Sequence, residues 1–306
     1  MTPANVTQLT IGEALAAFVE QLNADGRSEH TIAQFKRHIR LLDRAIGVSA
    51  SSIAPHHLAA FLNSSAAKTT PDGREKRATS MNSLRSSLRM FFAFIHASGF
   101  IASNPARLIK RARCGRRPPR SISDADVQAI CTLVRASVRA HARRDAALLT
   151  VLLDTGLRIS SALSLDIEDV DFDRHEARIE DLKNDRRETI HLTAGALNAI
   201  RTCAGGRTQG AIFLTNQGER MSVRHARRVI ATVGKMSGLG SPIAPHNLRH
   251  TFATRLLQQT GDLGLVQAAL LHQSAASTMV YLTPHASRVR NAINATSIAR
   301  HLSCVT

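Results

Sequence analysis

At 306 residues the chain is longer than one hydrophobic core usually grows, so two domains are expected. No apolar run reaches the roughly 18 residues of a membrane span. The opening MTPANVTQLTIGEAL has neither a basic nor an apolar signal region, and the four widely spaced cysteines form no CxxC pair; no secretory signal, disulfide framework or zinc framework is expected, and a reducing cytoplasm fits best. Forty Lys plus Arg against 23 Asp plus Glu give a net charge of +17 and a pI near 11.3. That balance favours a polyanionic partner, nucleic acid ahead of an anionic membrane surface. With only 4% aromatic residues the chain is poorly equipped to stack on single strands, so duplex DNA held through its backbone is the better fit.

Residues 1–112 read as a helical unit. Thr10 and Glu13 have capping-box spacing ahead of Leu15, Phe18, Val19 and Leu22. A second helix carries Ile32, Phe35, Ile39, Leu42 and Ile46 inward and stops at Gly47. A short helix is expected in IAPHHLAAFLNSS. A longer one follows in MNSLRSSLRMFFAFIHASG, with Leu84, Leu88, Phe91, Phe92 and Ile95 inward and Arg85 and Arg89 as candidate DNA contacts. The region holds 14 basic and seven acidic residues, so it shares the overall charge.

Residues 113–121, RCGRRPPRS, lack apolar periodicity and read as a basic linker. Fully extended, such a stretch spans about 30 Å, enough to follow a duplex. Arg113, Arg116, Arg117 and Arg120 are candidate DNA contacts there.

Residues 122–306 open with helices in SDADVQAICTLVRASVRA and HARRDAALLTVLLDTG. The alternating segments VDFD, EARIEDL and ETIHL predict a small antiparallel meander. Helices are expected again in VRHARRVIATVGKMSG, HNLRHTFATRLLQQTG and LGLVQAALLH. The acidic run DIEDVDFD could pass for a metal site, but its period-2 pattern reads as an exposed strand edge.

Four segments of this second region carry chemistry-bearing side chains. Arg158 begins a helix after the glycine in TGLRISSALSL. Lys183 stands at a strand turn in DLKNDRRET, where a long side chain can reach into a groove. In PHNLRHTFATRLL, Pro245 starts a helix on which His246 and Arg249 share a face, with Phe252, Leu256 and Leu257 marking the buried side and His250 displaced as a structural partner. His272 precedes Tyr281, the one tyrosine in the chain, by nine residues. Singly, each of these is more often a packing or surface group.

Together, Arg158, Lys183, His246, Arg249, His272 and Tyr281 resemble, in identity, order and local context, the active site of the tyrosine recombinase or phage integrase family. That family includes Xer-type resolvases, phage integrases and Cre-like enzymes. SNPARLIK and the basic linker also fall where the family passes from core-binding to catalytic domain, so the resemblance covers the whole chain. It implies a mainly α fold with a small antiparallel sheet: a helical, SAM-like core-binding domain plus a catalytic domain, forming a C-shaped clamp. It also implies a site-specific DNA recombinase that works without metal, ATP or other cofactor.

A phenol with a reference pKa near 10 is a weak nucleophile at neutral pH, so attack on a phosphodiester needs help. By resemblance, Arg158 and Arg249 neutralise the developing charge by forked hydrogen bonds, His246 takes the phenolic proton, Lys183 protonates the leaving 5′-oxygen, and His272 donates to the phosphate. The product would be a 3′-phosphotyrosyl bond and a free 5′-hydroxyl, reversible by another strand. Two departures stand out. Ser161 occupies a position that is usually acidic, and Leu271 one that is commonly glycine before the second histidine.

The tail SRVRNAINATSIARHL has a short amphipathic pattern, and the resemblance implies its exchange between subunits of a tetramer on two DNA sites, a homo-tetramer or one shared with a paralogous recombinase. With the first domain starting near residue 10, no arm-binding domain is expected; the compact layout resembles Xer-like and mobile-element recombinases acting in integration, excision or dimer resolution. The expected setting is the bacterial cytoplasm, on the nucleoid when bound, with no membrane partner. Two other readings use the same fold: a catalytically silent DNA-binding accessory protein, and a type IB topoisomerase-like enzyme.

Overall fold

The architecture is that of a computed structural model, which describes residues 9–114, 120–137, 141–181 and 186–271; the side chains of residues 180, 181, 186 and 187 are not described. The chain divides into two compact units, Met1–Arg116 and Arg117–Thr306.

The first unit is helical. α1 (Ile11–Ala24) starts in the predicted capping box, with Glu13 N donating to Thr10 Oγ1 at 3.1 Å and Thr10 N to Glu13 Oε2 at 2.9 Å. α2 (Glu29–Ile46) is capped by Ser28 and ends at Gly47, whose φ of +63° favours glycine. α3 (Pro55–Asn63) and the one-turn α4 (Ser65–Lys68) lead through a tight turn at Thr70–Arg74 into α5 (Ala78–Ala97). Their inward stripes meet in one core, where the Phe18 ring lies edge-on to Phe35 and Phe91 at 5.2 and 5.7 Å. Val19 and Ile46, expected inside, are only partly buried at its margin.

In the second unit, α6 (Asp124–Ala136) precedes α7 (Ala142–Thr155), whose Ala147, Leu148, Leu149, Val151 and Leu152 are all buried. A helix apolar over so broad a face belongs in the middle of a domain, and α7 packs against most of its neighbours. α8 (Ile159–Ser164) follows at once. The sheet is the predicted meander: β1 (Val170–Asp171), β2 (Glu176–Asp181) and β3 (Arg186–His191) pair antiparallel in sequence order, with Ala177 opposite Ile190. α9 (Ala194–Ala204), α10 (Val223–Met236), α11 (Pro245–Thr260) and α12 (Leu263–Ala269) complete the described part.

Three expectations need correcting. α9 adds a helix that the sequence pattern does not announce, because its buried face is Ala196, Leu197, Ile200 and Ala204 and the alanines blur the apolar period. The acidic run is a strand edge only at Val170–Asp171. Before that, Ile167–Asp169 form a 3-10 turn in which Asp166 N donates to Asp169 Oδ2 at 3.0 Å. On α11 the buried residues are Leu248, Arg249, Thr251, Ala253 and Leu257, while Phe252 and Leu256 are partly covered by α12.

Candidate active site

The site grows from the end of α7. Thr155 Oγ1 donates to Val151 O at 2.6 Å and accepts from Leu157 N at 3.3 Å, pinning the turn on both sides of Gly156. Gly156 has a φ of +63°, and a Cβ there would meet the Phe252 ring at 2.3 Å and a Leu270 methyl at 2.9 Å. Both backbone and space therefore demand glycine. Leu157 is buried, and Arg158 follows, half-exposed, as the N-cap of α8. The far end of α8 is held by Arg220, which donates from Nη1 to the carbonyls of Leu163 and Ser164, each at 2.9 Å, and from Nη2 to Asp166 Oδ1 at 2.5 Å. A cation at a helix C-terminus is favourable, so Arg220 steadies the helix that carries Arg158. Ser161 is buried one turn along that helix, its carbonyl accepting from Ser164 Oγ at 3.0 Å.

α11 supplies the next two groups from its first turns. His246 is exposed, whereas Arg249 retains only 5% of its surface. The Arg249 guanidinium donates from Nη1 to Gly156 O at 2.6 Å and from Nη2 to Leu270 O at 2.8 Å. Those carbonyls stand at the C-terminal ends of α7 and α12, where the helix dipole is negative. Arg249 thus joins the backbone two residues before Arg158 to the backbone two residues before His272. Its plane is set before any substrate arrives.

The His246 and His250 rings stack with centroids 6.0 Å apart. Burial, then the neighbouring His246 and Arg249, hold the His250 pKa below the usual histidine value, so the ring is neutral at pH 7. Leu271 closes the described chain with a φ of +52°, a left-handed conformation that costs a leucine about 1 kcal/mol. This is the position at which the resemblance to the recombinase family implies glycine.

Of the expected site residues, the structure brings Arg249 to the turn that precedes Arg158 and places His246 on the same helix. Lys183, His272 and Tyr281 lie outside the described residues, as do Arg116 and Arg117. Arg89, Arg113 and Arg120 are exposed, and Arg85 is half-buried with Nη1 enclosed. Sequence reasoning missed Arg220 and the double requirement at Gly156; the glycine directly after a long apolar helix was the available signal.

Residues 120–288 match the phage integrase family, and residues 15–99 match the phage integrase N-terminal SAM-like domain. The chain belongs to the phage integrase family, the tyrosine recombinases. A tyrosine recombinase XerC of Chromobacterium violaceum is 30% identical over 88% of this chain and 89% of its own length. Another, from Serratia marcescens, is 34% identical over 64% of this chain and 65% of its own. Among solved structures, the XerH site-specific recombinase bound to a palindromic difH substrate shares the fold, with a TM-score of 0.74, 19% identity and coverage of 92% of this chain and 84% of that one. A lambda integrase dimer bound to a COC′ core site does so with a TM-score of 0.72, 20% identity and coverage of 90% and 78%. The family fold therefore accounts for both units: helical SAM-like domain first, integrase catalytic domain second.

Proposed function

We propose that this tyrosine recombinase cleaves and rejoins duplex DNA at a specific site through a 3′-phosphotyrosyl bond to Tyr281. The observation that carries the residue assignment is the Arg249 guanidinium, whose two bonded carbonyls flank the chain positions of Arg158 and His272. In the forward step Tyr281 Oη attacks the phosphorus, the bond to the 5′-oxygen breaks, and the phenolic proton passes to His246. Lys183 delivers a proton to the leaving oxygen. Arg158, Arg249 and His272 hold the non-bridging oxygens as charge builds. Attack by another strand's 5′-hydroxyl reverses the step, which conserves the bond energy.

The division into a core-binding domain at 1–112, a linker at 113–121 and a catalytic domain at 122–306 belongs to this reading. So does a tetramer on two sites, supported by the lambda integrase tetramer solved on a Holliday junction. Integration, excision or dimer resolution of a replicon or mobile element is the biological setting we infer. A library of nicked suicide duplexes cut from the source genome tests the proposal. Wild type is expected to become trapped as a covalent adduct, and Tyr281→Phe is not. Failure of wild type to form an adduct on any duplex would identify a silent DNA-binding protein instead.

A further inference from the structure

The helix that carries His246 and Arg249 has a second face, which grips the chain where it enters the catalytic unit. Asn247 Nδ2 donates to Arg120 O at 3.0 Å, while Asn247 Oδ1 caps its own helix by accepting from Ala244 N at 2.8 Å. Thr251 Oγ1 accepts from Ile122 N at 2.8 Å and donates to Asn247 O at 2.8 Å. Arg255 Nε donates to Asp124 Oδ1 at 3.1 Å, and its Nη2 pairs with the same oxygen.

The grips fall on residues 247, 251 and 255 of the helix and on 120, 122 and 124 of the incoming chain. Four helical residues advance about 6 Å and two extended residues about 6.6 Å, so the grips on Arg120 and Ile122 stay in register with Asn247 and Thr251. The Asp124 carboxylate reaches Arg255 from the first residue of α6. The three bonds differ in weight. The Arg255–Asp124 pair is largely exposed and contributes little. Thr251 is 1% exposed and Ile122 9%, so their bond is the anchor, because either partner left unpaired there would be costly. At about 100° per residue, Arg249 lies roughly opposite the Asn247–Thr251 edge of α11. One rigid helix therefore has the end of the linker on one side and the Arg249 guanidinium on the other.

We propose that Asn247 and Thr251 are positioning residues which couple the interdomain linker to α11. When the first unit engages DNA, a pull on the linker is transmitted through Ile122 and Thr251 to the helix and sets where His246 and Arg249 meet the scissile phosphate. The chemistry is then tied to occupancy of both domains. This rests on the recombinase reading.

The test uses the full chain and a suicide duplex recovered by adduct mapping. Three proteins are compared with wild type: Thr251→Val, a four-glycine insertion after residue 116, and both changes together. Each single change is expected to slow adduct formation at saturating duplex about tenfold, with Kd held within threefold. The double change is expected to be no slower than the insertion alone, because a slack linker has nothing to transmit. Thr251→Ser keeps the hydroxyl and is expected to restore the rate. If Thr251→Val fails to fold, Asn247→Ala takes its place. A folded Thr251→Val chain that cleaves within twofold of wild type overturns the coupling, as do single effects that multiply in the double. Should wild type form no adduct at all, the recombinase reading fails and hydrogen exchange judges the coupling separately. Binding of a genomic duplex must then raise protection of the α11 amides in wild type but not in the insertion chain, and equal protection overturns it.

Discussion

Gly156 shows how much one residue decides here. Its left-handed φ, the Phe252 ring that would lie 2.3 Å from an added Cβ, and its carbonyl bond to Arg249 are three separate constraints on one position. Gly156→Ala is expected to lower stability by about 3 kcal/mol, adding left-handed strain to an overpacking term. Adduct formation should fall at least tenfold even where urea titration shows the chain still folded. His38 offers a second test, in the first unit. Its half-buried ring meets Ser87 Oγ at 2.7 Å, and burial, then the Arg37 and Lys76 cations, lower its pKa to about 4. A histidine depressed in the folded state stabilises above its unfolded pKa near 6.5, and that contribution is lost as pH falls from 6.5 towards 4. With partial solvent contact the loss is on the order of 1–2 kcal/mol. His38→Gln, compared with wild type by denaturant melts across that range, is expected to remove this part of the pH dependence.

Among the elements, α5 does more than fill the first core. Its buried Asn82 binds Ala112 as a neighbouring strand would: Ala112 N donates to Asn82 Oδ1 at 2.8 Å, and Asn82 Nδ2 donates to Ala112 O at 2.9 Å and contacts Cys114 Sγ at 3.0 Å. The chain leaving the first unit is therefore held two residues into the span that composition assigns to the linker. Asn82→Ala should cost about 2 kcal/mol by leaving both backbone groups of Ala112 without that partner. Limited trypsin digestion is expected to cut at Arg111 and Arg113 several times faster than in wild type. Most elements announce themselves locally: the Thr10–Glu13 box, the Gly47 stop and the Phe91–Phe92–Ile95 stripe need no tertiary knowledge. α9 does not, since its small buried alanines carry almost no hydrophobic contrast.

At the scale of the whole molecule, two expectations concern behaviour on DNA: the proposed exchange tail and the net charge. Deleting residues 288–306 is expected to leave single-site duplex binding intact in gel-shift titrations while abolishing strand exchange between two sites. Recombination retained by the truncated chain would place the tail's docking on its own domain. Because the field of a +17 chain acts through phosphate contacts, replacing Arg113 and Arg120 by glutamine should flatten the slope of log K against log salt by up to about two.

The sequence by itself determined the family and the chemistry proposed for it. Helical and alternating patterns, the net charge, and the order of Arg158, Lys183, His246, Arg249, His272 and Tyr281 are one-dimensional properties, and each survives without coordinates. Only the tertiary structure decided that Arg249 is buried between two helix ends, that Arg220 caps the helix of Arg158, and that Thr251 grips Ile122. Those relations join residues 21 to 129 positions apart. Chain periodicity carries no record of such pairings, because they exist only once burial removes the water that would otherwise satisfy each partner.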